Sequence, residues 1–101
     1  MAENGLISPA ARDALQTWLE VMAAIDGASP ATVTAYRGDV VGFLSFMTVH
    51  HGEREGLGAL AKITVTDMRA WMSSERQTGI SARSLARKLS AVKSFYRWLA
   101  R

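Results

Sequence analysis

Apolar residues recur at spacings of three and four in four stretches of the chain, and each stretch follows a recognisable helix start. The first carries Leu15, Trp18, Leu19, Met22 and Ile25. It opens at Ser8-Pro9, a serine N-cap with proline at the first helical position, where a missing N–H costs nothing. Asp26-Gly27 stops it. Ser29-Pro30 repeats the same start, and Val33, Tyr36, Val40, Phe43, Leu44 and Met47 form a second stripe that ends near His50-His51-Gly52. Gly52 to Gly58 is polar with three glycines and reads as a loop. A short apolar stretch, Leu60 to Ile63, leads to Thr66, the expected cap of a third helix bearing Met68, Trp71 and Met72 and closed by Gly79. Ser81 opens the fourth helix, with Leu85, Leu89, Val92, Phe95, Tyr96 and Leu99 on one face. No segment alternates with period two over a useful length, and no repeat of roughly 20–50 residues is present. The pattern predicts a compact all-α domain of four main helices over residues 9–101, preceded by a flexible N-terminus at 1–8.

Length and composition agree with one ordinary globular domain: 101 residues, 49% hydrophobic and 21% charged. The chain has no cysteine, which excludes disulfides and thiolate metal sites. No apolar run approaches the length needed to span a membrane, about 18 residues, and the start of the chain lacks the basic region of a signal peptide. The expected location is the cytoplasm.

Charge changes the picture most. Residues 76–101 hold seven basic side chains and no acidic one, whereas the first 75 hold five basic and nine acidic. The net charge of +3 therefore hides a split of −4 against +7, a directed field that points to a polyanion. On the fourth helix Arg83, Arg87, Ser90, Ser94, Arg97 and Arg101 lie three and four apart and share a face opposite the apolar stripe, with Lys88 and Lys93 flanking that stripe. Ser81, Arg83 and Ser84 stand at the helix N-terminus, where free N–H groups favour phosphate. Cations for the phosphates and short side chains that let a helix approach base edges are what groove binding needs. A helix that is merely solvated would interleave glutamate with its lysines. The second helix offers a companion surface of small residues: Thr32, Thr34, Arg37, Gly38, Val41, Gly42, Ser45 and Thr48. Its two glycines each cost about 1 kcal/mol against alanine. Either close packing of another helix or approach of a DNA backbone would account for them.

Catalytic patterns are absent: no phosphate cradle, nucleophile elbow or paired carboxylates. His50 and His51 are adjacent on a helix, where neighbouring side chains diverge, so they are expected to meet the helix dipole rather than bind a metal. No cofactor, no metal and no catalytic residue are expected.

Three segments together resemble the core-binding domain of tyrosine recombinases of the XerC/XerD type. They are Ser29-Pro30-Ala31-Thr32 running into Tyr36-Arg37-Gly38-Asp39-Val40; Ile63-Thr64-Val65-Thr66-Asp67 with Trp71; and Ser81-Ala82-Arg83-Ser84-Leu85-Ala86-Arg87-Lys88-Leu89-Ser90-Ala91-Val92-Lys93-Ser94-Phe95-Tyr96. The resemblance covers about residues 9 to 101. It implies a four-helix orthogonal bundle of the SAM-like type that forms half of a clamp on double-stranded DNA, the catalytic residues lying in a separate C-terminal domain. Its second and fourth helices would face the major groove through Thr32, Thr34, Arg37, Val41, Ser45, Ser81, Arg83, Ser84, Arg87, Lys88 and Ser90. The first helix would face a neighbouring protomer in a synaptic tetramer, with the isolated domain monomeric. Gly38 departs from the family by replacing a common basic residue. The expected role is thus DNA binding for a site-specific recombinase of the chromosome-dimer-resolving kind. A phage or mobile-element integrase, or a helical adaptor docking an acidic protein, are the alternatives.

Overall fold

Three serines and one threonine start the four long helices. The side-chain oxygens of Ser8, Ser29, Thr64 and Ser81 each accept the backbone N–H three residues on, at Ala11, Thr32, Asp67 and Ser84. The computed structural model describes residues 7–52 and 56–101. Among them it contains α1 (Pro9–Ala24), α2 (Pro30–His51), a single turn α3 (Leu57–Leu60), α4 (Val65–Gln77) and α5 (Ala82–Ala100), and no strand. The all-α class is therefore correct, and the fourth predicted helix is α5.

Local chemistry corrects three boundaries. Thr64, not Thr66, caps α4, because it forms a reciprocal box with Asp67: Asp67 N–H donates to Thr64 Oγ1 at 3.1 Å and Thr64 N–H donates to Asp67 Oδ2 at 3.0 Å. Part of the expected Gly52–Gly58 loop is the turn α3, while Glu53, Arg54 and Glu55 lie outside the described residues. The expected flexible start lies outside them as far as position 6, but Ile7 is buried in the core and Ser8 is the α1 cap. Thr64→Ala should cost about 1 kcal/mol in chemical denaturation, and Thr66→Ala almost nothing; equal costs at both would reject the cap assignment.

Helix α2 is the centre of the domain and packs against α1, α4 and α5. Phe43 stands edge-on to Trp71 of α4 at 5.1 Å and to Tyr96 of α5 at 6.1 Å between ring centroids. Trp18 of α1 stacks on Tyr36 at 6.2 Å and meets Phe95 edge-on at 5.3 Å. The two aromatic groups thus link all four long helices. Tyr96 Oη donates to the Leu60 carbonyl at 3.0 Å and fixes α3 to α5. Ile25, expected on the α1 stripe, instead sits at the helix end and is largely exposed. No described helix is long and apolar enough to cross a membrane.

Candidate nucleic-acid interface

The α5 stripe predicted from spacing is inward: Leu85, Val92 and Phe95 are buried, with Leu89, Tyr96 and Leu99 packed partly against the core. That orientation turns Arg83, Arg87, Ser90, Lys93 and Arg97 outward, and all five are exposed. Arg83 makes no ion pair among the described residues. Arg101 lies over the Trp98 ring at 4.8 Å, a cation–π contact. Trp98, the tryptophan off the main stripe, stacks on Phe95 at 6.3 Å.

Two of the α5 cations have acidic partners that no reading of α5 alone reveals. Arg87 Nε and Nη2 donate to the two Asp39 carboxylate oxygens at 2.9 and 2.7 Å, a bidentate pair joining α5 to α2. Asp39 is the one buried charged residue described, its side chain 4% exposed, whereas Arg87 remains 46% exposed. The Asp39 hydrogen bond, and then its charge, raise the Arg87 pKa further, so the guanidinium is permanently cationic. Lys88 Nζ donates to Glu75 of α4 at 2.6 Å. An acid-free segment therefore does not mean unpaired cations.

The helix-start serines are also committed locally. Ser81 Oγ accepts Ser84 N–H and donates to Ser84 Oγ, both at 3.1 Å. On α2, Thr32, Thr34 and Arg37 are exposed as expected. Val41 is not: it is 2% exposed and belongs to the core, and the Ser45 hydroxyl is buried without a hydrogen-bond partner. Both leave the candidate surface. The reason is the central place of α2, which buries more than one side of its middle turns.

Among the described residues, helix packing does not explain the α2 glycines. A Cβ built at Gly38 or Gly42 would meet nothing within 4 Å. Gly42→Ala should therefore raise stability by about 1 kcal/mol, read as a higher thermal midpoint; a fall would reveal a close contact at that position.

His50 and His51, expected to diverge, converge. Their Nε2 atoms lie 3.3 and 3.1 Å from the same oxygen, Asp67 Oδ1. The Thr64 N–H, followed by the His51 hydrogen bond, holds the Asp67 carboxyl far below the usual carboxylate range. The stability that the ionised Asp67 adds is complete above the ordinary value of 3.8 and is lost as the pH falls through its lowered native value.

These features define a helical domain whose last helix presents an exposed basic face braced by a buried acid from its central helix. Residues 15–101 match the family described as phage integrase, N-terminal SAM-like domain, and the chain belongs to that family. Its curated relatives include the "Tyrosine recombinase XerC" of Rhodospirillum centenum, 37% identical over 92% of this chain and 27% of the relative. That of Mesorhizobium japonicum is 36% identical over 92% of this chain and 30% of the relative. That of Chlorobaculum parvum is 41% identical over 84% of this chain and 26% of the relative. The chain thus spans between a quarter and a third of the length of these proteins. No solved structure matches it significantly.

Proposed function

We propose that this chain is the DNA-binding N-terminal domain of a site-specific tyrosine recombinase, gripping one face of a recombination site through α2 and α5. The observation that carries the reading is the exposed face of α5, a helix of 19 residues without an acidic side chain, tied to α2 by the Asp39–Arg87 pair. Arg83, Arg87 and Arg37 neutralise backbone phosphates, and Thr32, Thr34 and Ser90 are short enough to let the helices approach. The Nη1 donors of Arg87 take no part in its bonds to Asp39 and are available to a phosphate. Ser81 and Ser84 serve the interface through the α5 N-terminus that they cap. Lys88 contributes less, being held by Glu75. Strand cleavage belongs to a separate catalytic domain of the parent protein, which acts in the cytoplasm with further protomers on double-stranded DNA. The relatives' shared name, tyrosine recombinase, supports recombination as the reaction, and chromosome dimer resolution is the process that the family resemblance implies.

With about three phosphates neutralised, log K for a short duplex should fall against log salt with a slope of about −2.7. Fluorescence anisotropy across a salt series measures it. Arg83→Ala should weaken binding and reduce the slope by about 0.9, with the thermal midpoint unchanged. A salt-independent affinity, or an Arg83→Ala protein that binds like the parent, would reject the interface.

A further inference from the structure

We propose that His50, His51 and Asp67 form a binding site for a divalent transition metal of the zinc type, joining the C-terminus of α2 to the first turn of α4. The donor set is two imidazoles and one carboxylate, a combination suited to Zn2+. The three donor atoms all lie within 4.8 Å of one another. Tetrahedral zinc with bonds of about 2.0–2.1 Å requires donor–donor separations of about 3.3–3.4 Å. The two histidine–carboxylate separations, 3.3 and 3.1 Å, already stand at or just inside that value. The two imidazole nitrogens lie within 4.8 Å of each other, so rotation of the His50 and His51 side chains must bring them together as an ion enters.

The surroundings orient the donors. Asp67 Oδ2 is held by the Thr64 N–H, which leaves Oδ1, the atom facing both histidines, to bind the ion. The His50 ring lies flat against Phe46, with centroids 5.3 Å apart and planes 18° from parallel. The carbonyl end of α2, a helix of 22 residues, favours a cation. The opposing N-terminal end of α4 is offset by the Asp67 charge. The side chains of His50 and His51 are 34% and 29% exposed, so an ion reaches them from solvent and a water completes the coordination. An electrostatic cap for the helix dipole explains one histidine at a helix end; it does not explain two Nε2 atoms directed at one oxygen of another helix.

The test is a titration of the untagged chain with zinc sulfate, followed by NMR of the histidine ring nitrogens and by the thermal midpoint. One equivalent should shift the Nε2 signals of both His50 and His51 and raise the midpoint. His50→Gln/His51→Gln, two changes at exposed positions, should retain the helical fold and weaken zinc binding at least tenfold, the scale on which even supporting residues of a metal site act. Undisturbed ring signals in the parent at one equivalent of zinc would overturn the proposal. So would an unchanged zinc affinity in the double variant, which would move the binding to other side chains. Neither result bears on the DNA-binding reading, since no DNA is present.

Discussion

Arg87→Ala is expected to lower the unfolding free energy by about 3 kcal/mol at neutral pH, although Arg87 is a half-exposed residue on a polar face. The change leaves the Asp39 carboxylate buried beside α5 without its only described ion-pair partner. Stranding a buried charge typically costs about 3–5 kcal/mol; water entering where the exposed half of Arg87 stood puts this site at the lower end. Arg83→Ala, one turn earlier on the same helix, should change stability by less than about 0.5 kcal/mol. Urea denaturation of the two variants separates a brace from a surface contact. A further variant, Asp39→Leu/Arg87→Met, removes both charges and should recover most of the loss. Equal small effects of Arg83→Ala and Arg87→Ala would show that the bidentate pair is not holding the helices together.

The largest loss is expected from Phe43→Ala, at about 3–5 kcal/mol. Phe43 is fully buried in α2 and its ring is the shared contact of Trp71 and Tyr96. Truncation removes the ring's own burial and both edge-on contacts, and the two facing aromatics are anchored on different helices that cannot easily close the cavity. For a domain whose total stability is about 5–15 kcal/mol, the variant should be partly unfolded at ambient temperature or melt far below the parent. By contrast Leu89, which lies on the same predicted stripe as Phe95 but is only partly buried, should lose less on truncation to alanine. Circular dichroism melts rank the two, and a Phe43→Ala midpoint close to the parent's would contradict the central position assigned to α2.

What was legible in the chain was local. The Ser-Pro starts at 8–9 and 29–30, the α5 stripe and the glycine stop at Gly52 all follow from three- or four-residue relations, and the structure places them as expected. The α4 start is legible too, because Thr64-Val65-Thr66-Asp67 has the spacing of a capping box, whereas the residue three positions after Thr66 is Arg69, which cannot close one. The misplacement of Val41 and Ser45 has a different origin. Periodicity identifies the most apolar side of a helix, but a helix surrounded on several sides also buries residues off that stripe, and only the assembled neighbours reveal this. The partners of Arg87 and Lys88 lie 48 and 13 positions away, on other helices, so no spacing within α5 points to them. His50 and His51 diverge as positions on a helix, yet their long side chains reach one carboxylate 16 or more residues further on.

DNA binding through α2 and α5 is tested most directly by a chemical-shift map of the chain with a short DNA duplex, repeated at rising salt. Shifts are expected to concentrate on α2 at Thr32, Thr34 and Arg37 and on α5 at Arg83, Arg87 and Ser90, fading together as salt increases. A spectrum unmoved by DNA at low salt, or shifts centred on α1 with α5 silent, would contradict binding through α2 and α5.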